Sequence, residues 1–344
     1  MTERRGPERG AREVVETFDV VIVGGGPAGL SAAIWLGRYL HRVALVDSGD
    51  PRNWETRGVN GFLGFPAVRP AELRGAGRDE CRSYGVTLLD GFVTRVRAEA
   101  AERLVVEYDP LPVTKASADL PGPGAPRAPE DNERRPETRV VVGRRLLLAF
   151  GLKDEWPKVP GLRQVYGSGA HVCPDCDGYD ARDRRVVVIA AGRKAAGMAL
   201  NLTTWTDDIV ICTNGAPAEL AEPLAAKLAA LDILIHTDAI TCVRAEGDAV
   251  ESVELAGGRQ VECDEIFFAL SQRPADDLGA QLGCARDDQG HVVVDSHQHT
   301  SVSNVYAAGD ITPGPQLAIR AAAHGAVAAL AIHRSLVPDN RKIG

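Results

Sequence analysis

The residues best suited to chemistry are two cysteines, Cys173 and Cys176, which are followed directly by Asp177. A Cys-x-x-Cys pair can bind zinc, form a redox-active disulfide, or pack as two small apolar side chains. Zinc needs two more ligands, and near the pair the sequence offers only His171. We therefore favour a redox-active disulfide. When such a bond takes up two electrons, one sulfur leaves as a thiolate that a neighbouring carboxyl group can protonate.

The other cysteines are isolated in segments patterned as strands or helices, and we expect them to be core residues and not ligands. They are Cys81, Cys212, Cys242, Cys263 and Cys284. Seven cysteines is an odd and sparse count for 344 residues, which does not fit a secreted disulfide framework.

A glycine-rich loop at residues 24–29 follows an apolar run at residues 19–23 and precedes a helical pattern at residues 28–41. The loop fits the G-x-G-x-x-G pattern, and the next apolar run, residues 43–47, ends in the acid Asp47. This arrangement predicts a β-α-β unit that binds a dinucleotide. We expect the helix N-terminus to face the pyrophosphate and Asp47 to accept hydrogen bonds from an adenosine ribose.

A second candidate for cofactor contact lies near the C-terminus, where a strand-like run at residues 304–308 precedes Gly309 and Asp310. The carboxylate of Asp310 is suited to hold a sugar-alcohol hydroxyl of a long dinucleotide such as FAD. A helix is predicted from Gln316 to about residue 336. Its first backbone donors, near Leu317, would face the flavin edge that gathers negative charge on reduction.

The β-α-β pattern recurs in the middle of the chain, with strands expected at residues 185–190 and 209–212 around a helix at residues 194–205. Two nucleotide-binding units therefore predict an α/β fold. Residues 110–139 contain seven prolines with clustered charges, and we expect a surface insertion there. Residues 1–17 are charged and lack an apolar core, so we expect a disordered leader and not a signal peptide.

Composition excludes several classes of protein. Acidic residues outnumber basic ones to give a net charge of −8, which does not favour binding to nucleic acid. No apolar run reaches the roughly 18 residues that a membrane-spanning helix needs. We therefore expect a soluble, cytoplasmic protein with neither a membrane nor a nucleic-acid partner, and no metal site.

Together these residues resemble the low-molecular-weight thioredoxin reductases, a family of FAD-containing disulfide oxidoreductases. The resemblance extends from about residue 18 to residue 336, and its blocks follow the family's order and spacing. The blocks are the loop at residues 24–29, the Ala-Phe-Gly turn at residues 149–151, the Cys-x-x-Cys-Asp-Gly block at residues 173–178, and the ending at residues 300–310.

This resemblance implies two Rossmann-like domains and a homodimer. An FAD domain would comprise residues 18–152 and 271–344, and a central pyridine-nucleotide-type domain, residues 153–270, would be inserted through two hinge strands and carry the cysteines. Cys176 would face the flavin, Cys173 would attack an outside disulfide, and Asp177 would be the general acid. The FAD-binding residues would be Gly24, Gly26, Pro27, Ala28, Gly29, Asp47, Asn60, Val93, Ala149, Gly151, Gly309, Asp310, Gln316 and Leu317.

The second nucleotide loop departs from the family. Ala190 replaces the first glycine, and residues 213–215 read Thr-Asn-Gly where the reductases carry a His-Arg-Arg cluster for the 2′-phosphate of NADPH. Arg193 and Lys194 are interpreted as solvated charges, and no later arginine precedes Arg244. A phosphate without a cationic partner loses its strongest specific contacts. We therefore expect impaired NADPH specificity, and use of either NADPH or NADH is doubtful.

The predicted function is an FAD-dependent exchange of electrons between flavin, the Cys173–Cys176 disulfide and an external partner, either a thioredoxin-like protein or a small dithiol or disulfide. One alternative is a dithiol oxidase that uses oxygen, because residues 50–53 and 61–64 resemble the enzymes that close disulfides in gliotoxin and holomycin. Another is a ferredoxin-linked reductase. A third, from a different class, is a catalytically silent FAD-binding protein.

Overall fold

The computed structural model describes residues 16–111, 137–269 and 271–342, so most of the expected leader and insertion lie outside the described residues. The described strands, β1 to β16, are Glu16–Val23, Val43–Asp47, Thr87–Ala100, Arg103–Pro110, Arg139–Leu148, Leu152–Glu155, Ala170–His171, Val186–Ile189, Ile209–Cys212, Leu234–His236, Ile240–Glu246, Ala249–Leu255, Gln260–Glu262, Glu265–Phe268, Ser271–Pro274 and Val305–Ala307. The described helices, α1 to α7, are Pro27–Arg38, Pro70–Ser83, Pro174–Asp177, Gly192–Leu202, Glu222–Ala229, Leu278–Gln281 and Ala318–Leu336. Within these ranges, no helix has both the length and the apolar composition to cross a membrane.

The first sheet is built around five parallel strands in the order β3-β2-β1-β5-β16. Alternate residues of β1 enter two different cores, because successive side chains of a strand point to opposite faces. Val20 and Ile22 pack with α1 and α7, whereas Val21 and Val23 pack against β4 and the segment around Leu278. Burial on both faces explains why β1 is a nearly continuous apolar run.

The second sheet is also parallel, in the order β10-β9-β8-β14-β7. Helices α4 and α5 cover one face, and the antiparallel sheet β11-β12-β13 contributes to the core on the other. The prediction of an α/β fold with two nucleotide-binding-type units is confirmed.

The two units are connected by β6 and β15, which form a separate antiparallel pair with Leu152 opposite Pro274 and Glu155 opposite Ser271. These strands lie where the sequence predicted two hinge strands. The domain limits at residues 152/153 and 270/271 stay a prediction, and residue 270 is outside the described part of the chain.

The ends of some helices differ from the prediction. Helix α1 ends at Arg38 and not at residue 41, because Leu40 adopts a left-handed conformation with φ of 63°. Helix α4 occupies Gly192–Leu202 where residues 194–205 were expected. Helix α7 begins at Ala318, two residues after Gln316, since Leu317 still has extended backbone angles.

Candidate active site

Cys173 and Cys176 form a disulfide in the structure, so their sulfurs are bonded to each other. Cys173 directly precedes the short helix α3, and its sulfur accepts a hydrogen bond from the backbone N–H of Cys176 at 3.2 Å. Both cysteines are half-buried. The neighbouring Asp175 is exposed and accepts a hydrogen bond from the Asn201 amide of α4 at 3.1 Å.

A buried histidine lies beside the disulfide, between two carboxylates. The Nε2 atom of His171 is 3.1 Å from the carboxylate of Glu265, and its Nδ1 atom is 3.6 Å from that of Asp177. Burial by itself lowers the pKa of His171, but hydrogen bonding and charge attraction from Asp177 and Glu265 outweigh it and raise the pKa to about 9. The sequence pointed to His171 only as a possible zinc ligand, and gave no signal for Glu265.

Asn60 connects the disulfide to the first nucleotide-binding unit. Its side-chain amide donates to the backbone carbonyl of Cys176 at 3.1 Å and to the carboxylate of Asp177 at 3.3 Å. The resemblance implied that Asn60 binds the cofactor. The structure places it at the junction between the loop that follows β2 and the redox pair.

The loop at residues 24–29 has the geometry of a tight turn into a helix. Gly24 has φ of 105°, a backbone conformation that side chains rarely allow. Gly29 approaches this turn so closely that a Cβ atom would lie 1.8 Å from the Gly24 carbonyl oxygen. No side chain caps the N-terminus of α1, which begins with Pro27 and Ala28.

The carboxylate at the end of β2 contacts two arginines that the sequence pattern did not indicate. The buried carboxylate of Asp47 accepts a hydrogen bond from the Gly25 N–H at 3.0 Å, contacts Arg74, and lies 3.5 Å from Arg78. Burial raises the pKa of Asp47, but the hydrogen bonds and the charges of the arginines outweigh this and leave it below its ordinary value.

These features fit the phosphates and adenosine of a dinucleotide. A Cβ atom at Gly26 would meet no atom within 4 Å, so the space in front of α1 is open to a pyrophosphate. The Nη1 atom of Arg78 is buried, lies 3.5 Å from the Asp47 carboxylate and makes no hydrogen bond to any described residue, so it can donate to a polar group of the ligand.

Two of the other residues predicted to bind the cofactor, Ala149 and Gly309, lie against this loop. The Ala149 N–H donates to the Val23 carbonyl at 2.8 Å, and Gly151, with φ of 70°, follows in the same turn. Gly309 lies against Ala28, since a Cβ atom on it would come within 2.9 Å of the Ala28 side chain. Val93 is set further away along β3, where it pairs with Tyr108 of β4.

Four polar side chains form a closed ring beside Asp310, and we call Arg52, Asp154, Gln272 and Gln316 the polar ring. Arg52 donates to Asp154 at 2.8 Å and to the Gln316 side-chain carbonyl at 2.6 Å. Gln316 donates to Gln272 at 2.7 Å, and Gln272 donates to Asp154 at 3.2 Å. Arg52 also lies 3.5 Å from Asp310, whose pKa is raised by burial and lowered again in part by this cation.

In the second nucleotide-binding unit the cations lie at the start of α4 and not in the turn after β9. Arg193 and Lys194 are exposed on the first turn of α4. In the turn after β9, Thr213 donates to the carbonyl of Ala216, and the Asn214 side chain accepts from the Ile240 N–H at 2.9 Å. These polar groups are therefore used within the protein.

Comparisons with known proteins agree with this geometry. The family model for pyridine nucleotide-disulphide oxidoreductases matches residues 18–325. A probable thioredoxin reductase of Arthroderma benhamiae is 29% identical over 199 residues, and the match covers 58% of this chain and 44% of that protein, less than half its length. The crystal structure of HlmI is 30% identical, with a TM-score of 0.81 and 93% of both chains covered. That of a putative thioredoxin reductase TrxB from Bacillus anthracis is 28% identical, with a TM-score of 0.79, covering 94% of this chain and 100% of that chain. The chain therefore belongs to the pyridine nucleotide-disulphide oxidoreductase family, in its FAD-dependent, thioredoxin reductase-like branch.

Proposed function

We propose that the protein is an FAD-dependent thiol–disulfide oxidoreductase that exchanges electrons between flavin, the Cys173–Cys176 disulfide and an external thiol or disulfide. The observation that carries this proposal is the contact of Asn60 with both Cys176 and Asp177. Because Asn60 follows the first nucleotide-binding unit, this contact supports a redox pair placed next to the cofactor of that unit.

FAD, when bound, supplies a two-electron carrier next to the disulfide. The residues that would hold it are the loop at residues 24–29, Asp47, the turn at residues 149–151, Asp310 and the start of α7. Following the family resemblance, Cys176 is the sulfur that faces the flavin and Cys173 is the sulfur that exchanges with the partner. Asp177 is the general acid that protonates the Cys173 thiolate.

We propose a small dithiol as the preferred electron donor, in place of NADPH. Ala190 in the second loop and the internally bonded turn at residues 213–215 support this choice, since neither provides a cation for a 2′-phosphate. The likeness to HlmI, of the holomycin type, supports a dithiol oxidase that passes the electrons on to oxygen. A thioredoxin-like partner, a homodimer and a cytoplasmic location are further parts of the proposal.

The test is an anaerobic titration of the flavin absorbance with dithiothreitol, NADH and NADPH in turn. We expect dithiothreitol to bleach the flavin, NADPH to do so poorly, and admitted oxygen to restore the colour with release of peroxide. Rapid bleaching by micromolar NADPH would contradict the proposed donor. Bleached flavin that passes electrons neither to a disulfide nor to oxygen would indicate a silent FAD-binding protein.

The disulfide itself is tested by Cys176→Ser, which should abolish bleaching by the dithiol while FAD stays bound. A matched control is Cys242→Ser, because Cys242 is a free cysteine on β11 that donates to Glu254 and is not part of the disulfide. Retained dithiol turnover in Cys176→Ser, or a colourless wild-type protein, would refute the proposed function.

A further inference from the structure

The buried His171 lies next to the redox segment and has no role in the mechanism proposed above. It is the last residue of β7, is only 8% exposed, and directly precedes the segment that carries the disulfide. The parallel pairing of β7 with β14 sets His171 opposite Phe267 and brings Glu265, at the start of β14, within 3.1 Å of its Nε2 atom. Glu265 of the second sheet thereby holds the His171 side chain in place.

The other ring nitrogen of His171 points towards the redox segment. Its Nδ1 atom lies 3.6 Å from the Asp177 carboxylate, whose second oxygen accepts the Asn60 amide at 3.3 Å. Asp177 is therefore held between an amide donor from the first unit and an imidazole from the second. A side chain held from two sides has a defined orientation next to Cys176.

The charges around His171 favour its protonated form. Glu265 on β14 and Asp177 on α3 are charged groups that face it, and the Phe267 ring centroid lies 5.3 Å away. Although burial lowers the pKa of His171, the two carboxylates raise it to about 9, so the ring is a cation at neutral pH. A doubly protonated ring can donate a hydrogen bond from Nε2 to Glu265 and form an ion pair through Nδ1 with the Asp177 carboxylate, 3.6 Å away.

We propose that His171 is a positioning residue that orients Asp177 and resupplies its proton, so that His171 and Asp177, anchored by Glu265, act as one acid in thiol–disulfide exchange. This inference rests on the proposed function and deepens it. In this arrangement the proton that reaches the Cys173 thiolate resides on His171 and passes through the Asp177 carboxylate.

In the exchange step the substrate dithiol is oxidised and the Cys173–Cys176 disulfide is reduced. A dithiol gives two electrons to the Cys173–Cys176 bond, which breaks while a disulfide forms in the substrate. The Cys173 thiolate takes a proton from Asp177, Asp177 takes one from His171 Nδ1, and Cys176 remains a thiolate. Of the two protons that the substrate releases, one restores His171 and the other goes to solvent.

The test compares the wild-type holoenzyme with His171→Gln by stopped flow, as the rate of anaerobic flavin bleaching by dithiothreitol between pH 6 and pH 10. We expect the variant to be at least about tenfold slower at pH 7, with the ratio of the two rates approaching one above pH 9, where the wild-type ring is also neutral. Because both proteins meet the same dithiol, ionisation of the dithiol cancels in this ratio. A ratio that is constant with pH would show a purely structural role and overturn the proposal.

Two further variants keep the test decisive if His171→Gln folds poorly. Glu265→Gln removes one of the carboxylates, so the ratio of its rate to the wild-type rate should stay close to one near pH 6. The ratio should then fall at a pH below 9, where the wild-type ring is still protonated. Asp175→Asn is the matched control, because Asp175 lies between the cysteines but bonds to Asn201, and it should keep the wild-type profile. A wild-type profile for Glu265→Gln would also overturn the proposal.

A readout independent of turnover is NMR titration of ¹³C-histidine-labelled holoenzyme, with the His171 signal assigned by its loss in His171→Gln. We expect it to titrate near pH 9 and to shift downwards in Glu265→Gln. Titration near the ordinary value of about 6.5 would contradict the charge assigned to His171. If dithiols fail to bleach the wild-type flavin, the proposed function fails, and that outcome is separate from an altered or unaltered His171 profile.

Discussion

At the scale of single residues, the first nucleotide loop depends on a buried carboxylate whose charge is balanced by arginines. Asp47 is 7% exposed and is held by Arg74, Arg78 and the Gly25 N–H. Removing one partner of a buried ion pair leaves a charge without compensation. The stability of this end of the sheet should therefore depend strongly on Arg74.

We predict that Arg74→Met lowers the free energy of unfolding by about 3 kcal/mol at pH 7. Arg82→Met is the matched control: it lies on the same helix, α2, but in an exposed pair with Asp79, and should change stability by less than about 1 kcal/mol. Urea unfolding followed by circular dichroism measures both changes. Equal effects of the two substitutions would show that the Asp47 pair does not contribute as argued.

The effect of Arg74→Met on the free energy of unfolding should depend on pH. Since the pKa of Asp47 is lower in the folded protein than in the unfolded chain, its contribution to wild-type stability is present above pH 4 and is lost as the pH falls through the folded value. Without Arg74, burial raises the pKa of Asp47 in the folded protein. Protonation of Asp47 at low pH therefore stabilises the variant. The stability difference between wild type and Arg74→Met should therefore narrow as the pH falls from 7 to 4, and a difference that widens would contradict the argument.

Residues whose signal is local could be predicted from the sequence, whereas their distant partners could not. Cys173, Cys176 and the glycines at residues 24 and 29 follow from short patterns with a physical reason for each position. Glu265 and Arg78 reach the sites only through tertiary packing, and nothing in their own segments indicates a ligand or a partner. The cofactor roles of Val93, Asn60 and Leu317 stay predictions.

At the scale of elements, the end of α1 shows how backbone geometry overrides an apolar pattern. The N–H of Leu40 bonds to the Gly37 carbonyl at 2.9 Å and that of His41 to the Leu36 carbonyl at 3.1 Å. This is the bonding of a Schellman motif, in which the residue in the left-handed conformation is usually glycine. Here it is Leu40, 92% exposed, so the sequence lacked the usual stop signal and the predicted helix was too long.

We predict that Leu40→Gly stabilises the protein by about 1 kcal/mol, because glycine removes the strain of the left-handed backbone while an exposed side chain is lost. Leu40→Ala loses the same exposed side chain but keeps a Cβ atom, so it should change stability by less than about 0.5 kcal/mol. Thermal unfolding measures both variants. A gain in Leu40→Ala equal to that in Leu40→Gly would mean that exposure of leucine, and not backbone strain, sets the cost.

At the scale of the whole molecule, the order of β-α-β units made the fold predictable, while the contacts between the units were not. Parallel strands need crossover helices, so residues 19–47 and 185–212 each indicate a nucleotide-binding unit on local evidence. The polar ring joins side chains from the loop after β2, from both connecting strands, and from the residues before α7. Such a closed network has no local signature in any of its four segments.

The polar ring leads to a prediction about cofactor retention that involves both connecting strands. Arg52 is the only cation of the ring, and it both partly offsets the effect of burial on Asp310 and holds the side chain of Gln316 in front of α7. Without Arg52, the half-buried Asp310 becomes easier to protonate, Gln316 loses its 2.6 Å hydrogen bond, and the bond from Arg52 that holds Asp154 of β6 is lost. Because Asp310 and Gln316 are proposed to contact FAD, Arg52→Gln should weaken FAD binding by about tenfold, equivalent to roughly 1.4 kcal/mol.

Arg57→Gln is the matched control, since Arg57 comes from the same loop but pairs with Asp248 in an exposed position, and its affinity for FAD should equal that of the wild type. The fluorescence of FAD released on dilution measures both, and tight retention in Arg52→Gln would show that the ring serves only to join the two units.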